Sequence, residues 1–500
     1  QTPPFSEIEL AHYEPAFDYA IAVNRAEVEA IINNPEAPTF ENTIVAMTES
    51  GELLGRVAGL FFVLNNCSTS DEMQQIAMNI TPKLTELEND ISLNPELFAR
   101  VKAVYDQRKK LKLDEQDMQL LEDTYKGFAR SGALLEGKDK ELYREYSSEL
   151  SQLTLKFGQN AQAATNAFSY NITDPAKVEE LPAFVKEGLA AEAEARGEKG
   201  WTVTLHAPSY SPFMTYSTQR DIKEALYRAY NTRGIGGETD NVENIRRIAE
   251  LRLKIANLLG YKCYADYVLE DRMAESTKTV NGFLAELNKA TLNYAKKDVA
   301  AITEYAHSLG FEGELAPWDF GYYNEKYKEA KYAINDEQIK PYLQLENVKN
   351  AVFMLAGKLY GLTFTPVDNI ETYHPEATVY EVRDDKGELM AILYLDFFPR
   401  ESKRQGAWMT EFRGVKVKDG KEQRPLVQLV MNFTKPTTNT PSLLTFDEFT
   451  TFLHEFGHGL HGILARGKYE SINGTSVKRD FVELPSQIME NWATEKEYLD

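Results

Sequence analysis

Apolar residues recur at intervals of three and four almost without a break from Phe5 to about Phe168, and this periodicity constrains the chain more than any other feature. "TFENTIVAMTESGELLGRVAGLFFVL" and "ELYREYSSELSQLTLKFGQNA" each gather their apolar side chains on one side of a 3.6-residue helix, which predicts helices packed on helices. No period of 20–50 residues recurs, so a regular solenoid is disfavoured. Five hundred residues exceed what one hydrophobic core serves, and two or more domains are expected. The polar stretch "EGLAAEAEARGEKG" at 187–200 reads as an exposed helix end and linker, followed by strand-like "WTVTLHAP" at 201–208. The expected division therefore runs between an N-terminal helical region, 1–195, and a second region, 196–500.

Helical patterns resume with "RDIKEALYRAYNTRG" and continue to about Leu362, and the character changes over 364–434. "TVYEVRDDKGELMAILYLDFF" alternates around an Asp-Lys-Gly turn and predicts a hairpin. "GAWMTEF" and "PLVQLVMNFT" add two strands. The fold class read from the pattern is mainly α with a small sheet.

A formal charge of −22, with basic residues scattered, leaves no footprint for nucleic acid. The densest basic run, "QRKKLKLD" at 107–114, reads as a solvated helix face. The longest uncharged apolar run, "VAGLFFVL" at 57–64, is less than half of what a bilayer requires, so no membrane partner is expected. Cys67 and Cys263 are the only cysteines, far apart, which excludes a disulfide framework and a cysteine zinc site. "RGIGGETD" at 233–240 fits neither dinucleotide nor P-loop spacing and reads as a flexible loop; no GxSxG occurs. Residue 1 is Gln rather than Met, which points to an exported, periplasmic location, with the cytoplasm as the alternative. The chain is expected to act as a monomer.

Three of the seven histidines stand in "HEFGHGLH" at 454–461. Thr445 and Glu448 form a capping-box pattern, so a helix is expected to start near Phe446, with Arg466-Gly467 as its stop. On a helical wheel Phe449, Phe452, Leu453, Phe456, Leu460, Ile463 and Leu464 share one arc. His454, His458 and His461 lie opposite, within about 60°. Residues at i and i+4 stack, so His454 and His458 can reach one ion, and Glu455 sits at the edge of that face. This is the HExxH arrangement, two zinc ligands with a glutamate as general base. Two ordinary surface histidines would give the same letters; the cap, the wheel and the acids downstream favour the metal. In "DFVELPSQIMENW" at 480–492, Pro485 fits only the first turn of a helix, which puts Glu483 near the N-terminus. Glu483 is the third ligand expected, with Glu490 or Asp480 supporting a ligand histidine and His461 packing beside the site.

"LHEFGHGLH" followed by "GTSVKRDFVELPSQIMENW" resembles the thimet oligopeptidase (M3) family of zinc metallopeptidases. So do "PTFENTI", "LLGYKCYADYVLEDRMA", "WDFGYYNEKY" and "DFFPRESKRQGAW", which extend the resemblance over most of the chain. "HGILARGKYESINGTSVKRDFVELPSQ" is most similar to the bacterial peptidyl-dipeptidases of that family. The resemblance implies a two-lobed helical zincin-type metallopeptidase with a small β-sheet near the active site and a deep channel. One Zn2+ would be held by His454, His458 and Glu483, with Glu455 as the base, and 196–500 would be the catalytic region. Substrates would be short peptides. Three activities stay open: release of C-terminal dipeptides, internal cleavage by an oligopeptidase of the same fold, or peptide binding by a catalytically impaired protein. Family members carry a His and Tyr constellation far beyond the second zinc helix, which is expected to lie past Asp500. Residues 428–434, "QLVMNFT", are expected to pair with an extended peptide, or to be an ordinary sheet strand.

Overall fold

The computed structural model describes residues 2–418 and 420–500. Helix makes up 61% and strand 9%, so the class read from periodicity is the one observed. Among the N-terminal helices, Glu52–Cys67, Asp71–Ser92, Pro95–Asp106 and Glu115–Arg130 follow one another closely. The last three start on side-chain caps: Ser70 accepts from the Met73 N–H, Asn94 from Glu96 and Leu97, and Asp114 from Gln116 and Asp117. The apolar stripes of Glu52–Cys67 and Asp71–Ser92 meet that of the helix Tyr13–Ile32 in a cluster of Tyr13, Phe17, Phe61, Ile76 and Ile80, with Phe61 edge-on to Tyr13 and Phe17. The basic run 107–114 is no helix face. Arg108–Lys110 form a single 3-10 turn between two helices, and the Arg108 guanidinium lies 3.9 Å over the Tyr105 ring.

Stretch 187–200 is the exposed helix end expected, but not a free linker: the helix Ala183–Ala195 buries Leu189 and Ala193, and a tight turn leads into the next strand. Gly200 makes that turn with φ +88°, where a Cβ would stand 2.2 Å from the Ile172 carbonyl oxygen. Strands β1 (Ser169–Ile172) and β2 (Trp201–Thr204) pair antiparallel here. Their cluster runs from Ile172 to Leu226, with members on both sides of residue 195.

The remaining strands are β3 (Thr363–Pro366), β4 (Thr378–Arg383), β5 (Leu389–Asp396), β6 (Trp408–Arg413), β7 (Lys416–Lys418), β8 (Lys421–Gln423) and β9 (Leu426–Val430). β7 and β8 form a separate pair; the other five make one sheet in the order β3-β4-β5-β9-β6. β4 and β5 form the expected hairpin, while β9 runs parallel to β5 and antiparallel to β6. Peptide pairing along 428–434 is therefore ruled out for the β9 part, because both edges of β9 are already bonded. The continuous burial of β9 fits a central strand. Alternation along β9 divides two cores: Val427 and Leu429 face the histidine-bearing helix, whereas Leu426 and Val430 join Val63 and Cys67 of the helix Glu52–Cys67.

The chain after β9 is fixed to the end of β5. Met431 and Phe433 donate N–H bonds to the carbonyls of Asp396 and Phe397. The buried Asp396 carboxylate is held by Lys403 at 2.9 Å, Tyr373 at 2.8 Å and Arg400 at 2.6 Å. Among the described residues no helix is long and apolar enough to cross a membrane.

Candidate metal centre

The histidine-bearing helix spans Phe446–Ile463 and starts as its sequence dictates. The Thr445 hydroxyl accepts the Glu448 N–H at 3.1 Å, and the Glu448 carboxylate accepts the Thr445 N–H at 2.9 Å. Glu448 also takes the N–H of Thr434 at 2.6 Å, which fastens the segment after β9 to the helix start. Phe449, Phe452, Leu453, Phe456, Leu460 and Ile463 are buried in the largest core cluster, leaving the three histidines half-buried on the other side. The helix ends at Ile463, ahead of Arg466-Gly467. Arg424 supplies the stop from outside the local sequence, donating to the carbonyls of Ile463 at 2.6 Å and Ala465 at 3.2 Å.

The second helix, Glu483–Glu490, opens on Glu483 itself with Pro485 in its first turn. It lies close against the first because residue 457 is glycine: a Cβ there would fall 2.4 Å from the Pro485 carbonyl oxygen and 2.6 Å from Ser486 Cα. This approach brings the ends of His454, His458 and Glu483 together. One ligand atom of each lies within 4.8 Å of the others, and no second such group occurs among the described residues. Oε2 of Glu483 stands 3.2 Å from Nε2 of His454 and 3.0 Å from Nε2 of His458. Ser486, fully buried, donates its hydroxyl to that same Oε2 at 2.8 Å or to the Glu483 carbonyl at 2.9 Å. Burial pushes the Glu483 carboxyl up, but the Ser486 hydroxyl and the two imidazoles outweigh it and hold the acid below its ordinary value.

The residues around the trio divide plainly. Nδ1 of His454 stands 2.6 Å from Glu490 Oε1. Asp480 faces no histidine; its two carboxylate oxygens take the N–H groups of Met273 and Ala274. His461 lies outside the converging group, and its buried Nδ1 has no hydrogen-bond partner among the described residues. Glu455 is 5% exposed, and its Oε2 is buried with no hydrogen-bond partner among the described residues. Burial raises its carboxyl to about 7, with His454 opposing the rise and Glu483 adding to it. Gly457 and Ser486 belong to the site by structure and not by any motif in the sequence. Their signal is a glycine beside a candidate ligand histidine and a serine one turn after a candidate ligand glutamate.

This donor set fits a divalent cation. A tetrahedral zinc site with bonds of about 2.0–2.1 Å has ligand–ligand edges of about 3.3–3.4 Å, and the two Glu483 to histidine separations, 3.2 and 3.0 Å, come close to that. An Nδ1 turned to a carboxylate is how metal-binding imidazoles are oriented elsewhere.

The model of Peptidase family M3 matches residues 213–500. The chain belongs to peptidase family M3. Among curated proteins it is 37% identical over 498 residues to a dipeptidyl carboxypeptidase of Escherichia coli K12, covering 98% of this chain and 72% of that one. It is 34% identical over 504 residues to oligopeptidase A of Salmonella typhimurium LT2, covering 99% and 74%. A thimet-like oligopeptidase of Dictyostelium discoideum is 27% identical over 489 residues, covering 94% and 71%. A crystal structure described as a candidate oligoendopeptidase F shares the fold, with a TM-score of 0.50 at 14% identity over 98% of this chain and 70% of that one. M3 peptidases are metallopeptidases, so this protein is a metal-dependent peptidase and its substrates are peptides.

Proposed function

We propose that this M3 peptidase uses one zinc ion, held by His454, His458 and Glu483, to release dipeptides from the C-terminal end of short peptides. The observation that carries the reading is the convergence of those three side chains beside the buried, unpartnered Oε2 of Glu455. When bound, zinc supplies Lewis-acid polarisation of the scissile carbonyl and acidifies the attacking water.

The other steps belong to the chain. Glu490 holds the proton of His454 on Nδ1 and so leaves Nε2 free to ligate. Ser486 holds the Glu483 carboxylate toward both imidazoles. Glu455 takes the water proton on its carboxylate and passes it to the leaving amine. Its burial supports this role, since desolvation raises the carboxyl and so favours its holding a proton between the two transfers.

Dipeptide release is favoured by the similarity to the Escherichia coli dipeptidyl carboxypeptidase. Internal cleavage by an oligopeptidase is the second reading, because the similarity to oligopeptidase A is nearly as high. Retention of Glu455 argues against an impaired peptide-binding protein, since ligation alone does not need it. One peptide with a free C-terminus and the same peptide amidated separate these readings by mass spectrometry of the products. Dipeptides from the free form alone are expected; internal fragments from the amidated form would favour the oligopeptidase, and no cleavage of either would favour the binding protein.

A further inference from the structure

The helix carrying Glu483 has only eight residues, and the residue before it, Val482, makes no side-chain cap. Besides the close approach at Gly457, its start is held by polar bonds from the preceding turn. Three residues before Glu483, Asp480 reaches a segment more than two hundred residues away in the sequence. Oδ1 accepts the Met273 N–H and Oδ2 accepts the Ala274 N–H, each at 3.0 Å. Lys478 pairs with Asp271 in the same contact. Met273 is 62% exposed, so this contact rests on directional polar bonds rather than on apolar burial. The receiving segment is a strained turn: Glu275 has φ +59° without being glycine. Ser276 follows and caps the 32-residue helix Thr277–Ser308, its hydroxyl accepting the Thr279 N–H at 3.1 Å.

We propose that Asp480 is a positioning residue for Glu483: by clamping the two amides at 273–274 it fixes where the glutamate helix begins, and so ties metal affinity to the seating of the long helix Thr277–Ser308. The proposal rests on Glu483 being a metal ligand. Two acceptor oxygens matched to two consecutive amides give the clamp a geometry that one acceptor would not reproduce. The turn Lys478–Val482 transmits it, since Phe481 and Val482 both donate N–H bonds to the Lys478 carbonyl.

The test compares Asp480→Ala, Asp480→Asn and Glu483→Gln in the whole chain, measuring zinc affinity by competition with a chromophoric chelator and the visible spectrum of the cobalt-substituted protein. Asp480→Ala is expected to weaken zinc binding about tenfold and to alter the cobalt bands, while the unfolding temperature of the metal-free protein changes little. Asp480→Asn keeps one acceptor and is expected to fall between Ala and the parent; if the alanine variant does not fold, this variant decides. Parental affinity and parental cobalt bands in the folded Asp480 variants would overturn the clamp. If Glu483→Gln itself keeps full zinc affinity, the ligand assignment fails instead, and the two failures are thereby distinguished.

Discussion

Oε1 of Glu490 lies 2.6 Å from Nδ1 of His454, one turn beyond Ser486 on the helix that also presents Glu483. One eight-residue helix thus offers a carboxylate to each side of the same imidazole: Glu483 toward Nε2 and Glu490 toward Nδ1. With a cation between His454, His458 and Glu483, the proton of His454 would sit on Nδ1 toward Glu490 and the lone pair of Nε2 would face the cation.

Replacing Glu490 with glutamine removes the negative partner while keeping the shape. Zinc affinity of Glu490→Gln is expected to fall about tenfold with the fold intact. Chelator competition alongside circular dichroism measures both. Parental affinity would mean that Glu490 does not orient His454.

Glu455→Gln tests the base. The residue lies outside the converging trio, so zinc content should stay at one ion per chain while kcat drops by about 10^2–10^4-fold. Metal analysis and peptide turnover on the same preparation separate the two quantities. Unchanged turnover would refute the assignment, and lost zinc would show that Glu455 supports binding instead.

Gly457 sits where the two helices approach most closely, and a methyl group there meets backbone atoms that cannot swing aside. Gly457→Ala is expected to lower stability by about 1–3 kcal/mol and to weaken metal binding by spreading Glu483 from the histidines. Denaturant unfolding in the presence of chelator, compared with zinc affinity, tests this. A variant as stable and as tightly zinc-binding as the parent would remove the close approach from the explanation of the site.

Glu411 on β6 offers a pH test of stability. Burial, reinforced by Glu470, raises its carboxyl to about 7. A raised acid means that between about pH 4.5 and 7 the folded chain holds a proton that the unfolded chain has released. Stability contributed by Glu411 is therefore lost as pH rises through that window, and the full penalty is present above it. Glu411→Gln is expected to stabilise the protein at pH 8 by about 1–3 kcal/mol and to change little at pH 4. Equal unfolding midpoints for parent and variant at pH 8 would contradict the buried, repelled carboxyl.

The parts of this fold that could be read from sequence are those whose cause is local. The histidine-bearing helix announced itself because Thr445 and Glu448 cap it and its apolar residues keep the period of a helix. Glu483 could be placed near a helix start because Pro485 fits only within a first turn. Where a distant segment decides, sequence periodicity carried no signal. Residues 426–430 of β9, Leu-Val-Gln-Leu-Val, do not by themselves name their neighbours, and only the presence of β5 and β6 on either side makes β9 central. Arg424 ends the histidine-bearing helix from 39 residues away. Asp480 lay close enough in sequence to serve a ligand histidine, yet its partners are the amides of Met273 and Ala274.

Diffraction recorded at the zinc edge, from crystals of the zinc-loaded protein, addresses the metal centre most directly. The expected result is one anomalous peak about 2.0–2.1 Å from Nε2 of His454, Nε2 of His458 and Oε2 of Glu483. A fully loaded crystal with no peak among those three atoms, or with its peak elsewhere in the chain, would contradict it.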